Sequence, residues 1–404
     1  MSLQRVAAPA AAVGELLAAY RPGSAFFSSA DGAVLGEGEL TVAHSLDGVA
    51  DTLAAVTTPD RVRPIAIGAV PFDARSPARL VVPETVRYAV PSEGRGAADN
   101  GQARHPLQGQ WRIRAVPEPT AHVRAVERGL KLLADATPGT AQLRKLVLAR
   151  CLRLSRDEPV DVAQLLGNLA RRDPHGFTFA VDLPRHTPDH RYDADLPRTL
   201  VGASPELLVA KRAGQAVAQP LAGSAPRSAD SATDQRRAAD LLASAKDRHE
   251  HALTVEAVAT GLRPFCRQLR VPPEPELVKT ATMWHLATRV TGELHDPATS
   301  SAELARALHP TPAICGTPTE AARDTITDIE PFDRGFYAGA VGYCDAAGDG
   351  EWVVAIRCAE VAGGNIDLFA GGGIVPESDP ESELAETSAK LRTLLLALGL
   401  DQSL

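Results

Sequence analysis

Sulfur and aromatic side chains are scarce in this 404-residue chain, which has five cysteines, two methionines and 4% aromatics. Cys151, Cys266, Cys315, Cys344 and Cys358 are odd in number, widely spaced and form no CxxC pair. That usage argues against a zinc site or a disulfide framework and fits a reducing compartment. No lysine- and arginine-rich run with interleaved aromatics occurs, which removes the usual footprint of nucleic-acid binding. No apolar run approaches the roughly 20 residues that span a bilayer. The Ala-rich first twenty residues are interrupted by Glu15 and read as a helix, not as a leader peptide. These absences predict a cytoplasmic protein without a nucleic-acid or membrane partner.

What is present is a hydrophobic fraction of 44%, enough for a sizeable core, and a net charge of -8 spread along the chain. Short apolar runs recur: AIGAVPF, ARLVVPE, YAVPS, KLVLARCLRL, FTFAVDL, TLVGASPELLVAKRAG, HLATRVTGEL, YAGAVGYCD, EWVVAIRCAEV and NIDLFAGGGIV. Many follow one another as hairpin-like neighbours, which predicts an α+β fold with antiparallel sheets flanked by helices. Helices are expected at 120–136, 161–171, 234–264, 301–308 and 380–399. Ser300 with Glu303 forms a capping-box pattern, and Asp379-Pro380 opens the last helix. The polar stretches 92–106 and 184–198 read as surface loops. With no evident linker in the C-terminal 260 residues, residues 1–404 are expected to form a single domain.

Chemistry enters with two acidic helices far apart in sequence. Asp247 and Glu250 lie three residues apart on one helix face, and Glu383 and Glu386 repeat that spacing with Lys390 a turn further on. Either pair taken alone reads first as a solvated helix face. If the two faces meet, their repulsion would demand a cation, and an all-oxygen donor set suits a hard ion such as Mg2+. Gly371-Gly372-Gly373 ends an apolar strand before the second acidic helix and lets backbone N–H groups come close to an anion. The same run reads as a plain turn, and no GKS or GKT follows to make a Walker loop. Lys145, opening an apolar strand, and Glu206, after Ser-Pro, carry no signal by pattern alone.

Read together, KLVLAR, GASPELLV, PLAGSAPR, KDRHEH, HPTPAICGTP, EPFDRGFYAGAVGYCD, GDGEWVVAIRCAEV and AGGGIVPESDPESELAETSAKLR resemble the chorismate-utilising enzymes, in family order over about residues 140–400. The first 140 residues match loosely. The resemblance is closest to the isochorismate synthase branch. It implies one large α+β domain with the active site in a deep cleft, a chorismate dianion as substrate, and a protein that is often monomeric. It implies a Mg2+ site with Glu250 and Glu386 as direct ligands, and Asp247 and Glu383 acting through water. The Asp at 247 stands where the family commonly has Glu. Arg357, Lys390, Tyr337, Gly372 and Gly373 match positions that hold the enolpyruvyl group. Gly223, Ser224 and Ala225 match the segment against the ring carboxylate, and His285 a histidine near the departing C4 hydroxyl. A lone histidine before a strand is more often a structural residue.

Lys145 falls on the family's general base and Glu206 on its general acid, so the resemblance implies a lowered lysine pKa and a retained carboxyl proton. Relatives that use ammonia lack the base lysine, and aminodeoxychorismate synthases carry a lysine where this chain has Ala222. Both positions point to water as nucleophile. Salicylate synthases share Lys145, Glu206 and the metal site, but Ala313 and Ile314 read more like isochorismate synthases. A non-catalytic chorismate-binding protein and a scaffold with acidic surface helices are the readings from other classes. The expected product feeds siderophore or other secondary metabolism.

Overall fold

The computed structural model describes residues 11–400 except 59–62, 91–106, 108, 136–141, 175, 186–191 and 194. The loop expected at 92–106 therefore lies outside the described residues, as does part of 184–198.

Two large sheets face each other. The eleven-stranded sheet is centred on the neighbours Phe177–Leu183, Arg198–Ser204, Cys358–Ala362, Asn365–Ile374 and Lys145–Ser155. Every pairing among these is antiparallel. The nine-stranded sheet is centred on Leu207–Arg212, Gly350–Val354, Ala340–Asp345 and Ile65–Val70, again antiparallel. A three-stranded sheet of Leu221–Pro226, Met283–Ala287 and Glu276–Lys279 stands beside them. Strands from the first 140 residues join both large sheets, so the loosely matching part of the sequence is woven into the same layers.

Alternation along the strands explains the layering. Phe26 and Phe27 are adjacent, yet Phe27 packs between the sheets with Phe179, Leu200 and Trp352. Phe26 packs on the opposite face with Leu165, Leu169, Leu391 and Leu395. A strand buried on both faces reads as a continuous apolar run, as KLVLARCLRL does. Helices Val162–Arg172 and Pro380–Leu398 cover that outer face. The first is capped by Asp161, whose carboxylate accepts from the Gln164 amide. The second is capped by Asp379 and ends on Gly399 in the left-handed conformation.

The expected helices at 120–136, 161–171, 301–308 and 380–399 are found within two residues at each end. The expected helix at 234–264 is instead two, Ser231–Ala243 and Ala245–Leu262. Ser244 breaks it: its backbone is extended, and its hydroxyl accepts from the Asp247 amide as an N-cap. Helices Val49–Val56 and Thr319–Ile329 were not anticipated.

Candidate active site

A cleft lies where the Leu221–Pro226 strand, the glycine end of Asn365–Ile374, and helices Ala245–Leu262 and Pro380–Leu398 meet. Its empty volume is about 620 Å3 including the open mouth. Glu206, Ala222, Gly223, Ser224, Glu250, His285, Ala313, Ile314, Tyr337, Arg357, Gly371, Gly373, Glu386 and Lys390 all line it. Residues separated by up to 243 positions, Val147 to Lys390, are thus brought into one pocket. Ala225 does not line it; it pairs with Trp284 one step further along the three-stranded sheet.

The two acidic helices do meet, but not as bare carboxylates. Each glutamate carries a lysine: Lys145 Nζ lies 3.0 Å from Glu250, Lys246 Nζ 2.8 Å from Glu383, and Lys390 Nζ 2.5 Å from Glu386. Ser224 also donates to Glu386 at 2.9 Å. The repulsion that was expected to demand a cation is therefore offset by three ammonium groups. Among the described residues, no three His, Cys, Asp or Glu side chains converge closely enough to chelate a metal in this arrangement. One oxygen nonetheless fits a cation: Oε2 of Glu383, on a side chain 1% exposed, has no hydrogen-bond partner. Burial, then Glu386, raises the Glu383 carboxyl to about 7. In Glu386, burial pushes upward but Lys390 and Lys246 outweigh it, leaving the carboxyl below its ordinary value. Asp247 lies outside the pocket lining, against Gly223, and burial raises its carboxyl.

The glycine run lies against the buried carboxylates. Gly371, Gly372 and Gly373 pair in the ladder with Ala149, Leu148 and Val147. A Cβ on Gly373 would stand 2.0 Å from Glu250 Oε1, and one on Gly372 would stand 2.7 Å from Glu383 Oε2. The absent side chains make room for the two carboxylates.

Lys145 is fully buried, contrary to the solvent-facing habit of a strand-opening lysine. Its neighbours are Thr254 Oγ1 at 3.2 Å and Glu250, so it stands just behind the cleft lining, beside Gly373. Glu206 is buried too, and burial raises its carboxyl to about 8, partly opposed by the Leu221 amide and by Lys145 and Lys390. At neutral pH it holds a proton.

On the far wall, Arg357 adopts φ of +50°, a conformation non-glycine residues rarely take. Its Nη2 is 3.5 Å from Nε2 of His285, and burial brings the guanidinium to about 10. His285 is buried, and burial, then Arg357, holds its imidazole well below the ordinary value, so it is neutral. Tyr337 stacks on Phe369 with ring centroids 5.0 Å apart. Lys390 donates to the Gly371 carbonyl at 2.9 Å. Sequence reading missed Lys246; its only signal is its place beside Asp247.

Residues 98–399 match the family described as chorismate binding enzyme. The chain is 49% identical over 396 residues to the isochorismate synthase DhbC of Bacillus subtilis, covering 96% of each. It is 41% identical over 339 residues to the vibriobactin-specific isochorismate synthase of Vibrio cholerae, covering 84% of this chain and 80% of that one. The crystal structure of a putative 2,3-dihydroxybenzoate-specific isochorismate synthase, DhbC from Bacillus anthracis, superposes with a TM-score of 0.87 at 44% identity, covering 96% of this chain and all of that one. No helix among the described residues is long and apolar enough to cross a membrane. The chain belongs to the chorismate-binding enzyme family.

Proposed function

We infer that this chain is an isochorismate synthase: water adds at C2 of chorismate, the ring double bonds shift, and the C4 hydroxyl leaves. The observation that carries the reading is the pairing of a buried lysine, Lys145, with a buried carboxyl that keeps its proton, Glu206, around a cleft where Ala222 leaves no amine. In its neutral amine form, released from its pairing with Glu250, Lys145 takes the proton of the attacking water, and Glu206 gives its proton to the departing hydroxyl, which leaves as water. The substrate gains and loses one water, so the net change is isomerisation. Both protons need a partner because water is a weak nucleophile and hydroxide a poor leaving group.

Mg2+ is the proposed cofactor, held by Glu250 and Glu386 with Asp247 and Glu383 behind them; when bound, it supplies positive charge toward the ring carboxylate. Support comes from the all-oxygen donor set and the orphaned Glu383 oxygen. Gly223 and Ser224 border that end of the cleft. Arg357, Lys390 and Tyr337, which also line the cleft, are assigned to the enolpyruvyl carboxylate, for which a planar guanidinium is well shaped. Arg357→Lys is expected to raise KM for chorismate about tenfold or more, since the fork is lost while the charge remains. Steady-state kinetics check this.

The pH dependence follows from Glu206. A general acid must be protonated, so kcat/KM is expected to fall as pH rises through about 8. The stability effect has the same sign. The folded pKa is raised, so folding takes up a proton between the ordinary carboxylate range and about 8. The contribution is full below that window and is lost across it. A pH–rate profile of wild type beside Glu206→Gln checks the assignment, because the residual rate of the variant should lack this limb.

The direct test is incubation of the purified chain with chorismate and Mg2+, with products separated chromatographically. Isochorismate approaching equilibrium, abolished by EDTA, supports the reading; accumulating salicylate and pyruvate would move the chain to the lyase branch. Ala313 and Ile314 in the cleft wall favour the first outcome. The named specificities of two relatives, for vibriobactin and 2,3-dihydroxybenzoate, favour a siderophore-type secondary pathway. A cytoplasmic monomer is the setting we propose.

A further inference from the structure

We infer that Lys246 is an exchangeable counter-ion for the metal seat: its ammonium holds Glu383 until Mg2+ displaces it, so loading is an ion exchange. This rests on the Mg2+ reading of the site and adds a role for a residue outside the expected ligand set.

The three lysines among the carboxylates are not equivalent. Lys145 is fully buried and held by Thr254 as well as Glu250. Lys390 is held by the Gly371 carbonyl as well as Glu386, and lies one turn from Glu386 on the same helix. Lys246 differs in two ways. Its side chain is 25% exposed, and among the described residues its one hydrogen bond is to Glu383, on the other acidic helix. It is therefore the ammonium that can turn into solvent while the protein stays in place.

Glu383 is built to change partners. Oε1 is engaged by Lys246, while Oε2 is buried, faces Gly372 and makes no close hydrogen bond, with the Ser378 hydroxyl as another polar neighbour of the carboxyl. A buried carboxylate oxygen left without a donor is unfavourable, and a cation reaching it would relieve that cost. A divalent ion that takes Glu383 competes with Lys246 directly. Removing Lys246 thus has two effects of the same sign on metal affinity: a competitor disappears and the local potential becomes more negative.

The test uses the full chain stripped with EDTA, as wild type, Lys246→Met and Lys246→Arg. Mg2+ alone is titrated by calorimetry, and melting is followed with and without the metal. Lys246→Met is expected to bind Mg2+ about tenfold tighter than wild type, as the loss of one charge-assisted hydrogen bond implies. Its stripped form should melt several degrees lower, with excess Mg2+ closing that gap. Lys246→Arg keeps a cation on Glu383 and should stay near wild type in both measurements. Unchanged or weaker Mg2+ affinity in Lys246→Met, with wild type binding normally, overturns the exchange; weaker binding would mean that Lys246 orients Glu383 for the metal. If wild type binds no Mg2+, the metal reading itself fails. Lys246→Gln replaces the methionine variant should that one not fold.

Discussion

Lys145→Ala is expected to lower isochorismate formation by about two to four orders of magnitude, the range that removal of a general base usually produces. Alanine alone would leave an ambiguity, because Lys145 is also the cation on buried Glu250 and donates to Thr254. Its loss strands a carboxylate in a dry environment, which costs stability whatever the chemistry. Lys145→Arg separates the two roles. A guanidinium keeps the positive charge beside Glu250 but does not give up its proton at any usable pH. The arginine variant should therefore melt nearer to wild type than the alanine variant while sharing its loss of rate. A rate restored in Lys145→Arg would show that the residue acts through charge alone and would remove it as base. Product chromatography and thermal melts on the same preparations suffice.

Part of this site carries local patterns in the sequence, and the rest, including Lys145, Glu206, Arg357 and His285, was placed by the resemblance alone. The i, i+3 spacing of Asp247 with Glu250 and of Glu383 with Glu386 placed each pair on one helix face, and the helices do present those faces to each other. The glycine run was visible, though its purpose was not. An anion-binding turn and a gap left for two glutamates call for the same residues, and only the approach of Glu250 from another element distinguishes them.

The features without a local signal depend on partners distant in sequence. Lys145 opens an apolar strand, a place that reads as exposed. It is buried because Gly316–Thr317 pairs across it and the Ala245–Leu262 helix closes over it. Lys390 stands one turn from Glu386 and was visible, but the lysines on Glu250 and Glu383 could not be read locally, since Lys145 comes from a distant strand and Lys246 crosses from one helix to the other. Some misses were avoidable. Ser244 with Asp247 three residues on is an N-cap pattern, and it marks the break in what was expected as one helix. In the helix Thr319–Ile329, Ala322 and Ile326 recur at helical spacing, but so few apolar residues gave little contrast.

Glu330→Ala should be the most destabilising single change among the polar residues near the cleft, at about 3–5 kcal/mol, the usual cost of breaking a buried ion pair. Glu330 and Arg334 are both almost wholly buried and joined at 2.6 Å. Oε1 of Glu330 also accepts from the Ala149 amide at 2.7 Å. Arg334 donates to the carbonyls of Ile314 and Val147 at 2.7 and 2.8 Å and lies over the Phe72 ring, 4.5 Å from its centroid. Without Glu330, a buried guanidinium loses its counter-charge and a strand amide loses its acceptor. Glu330→Gln should cost less than alanine, because an amide oxygen can still accept from Ala149. Arg334→Met with Glu330→Gln should cost less than the sum of the two single changes, since neither charge is then left alone. Val147, Ile314 and Tyr337, all neighbours of this pair, line the cleft. Activity in the alanine variant should thus fall even under conditions where the protein is still folded. Denaturant unfolding across the cycle measures the coupling, and a cost for Glu330→Ala below about 1 kcal/mol would mean that the cleft wall is held in place by its apolar packing.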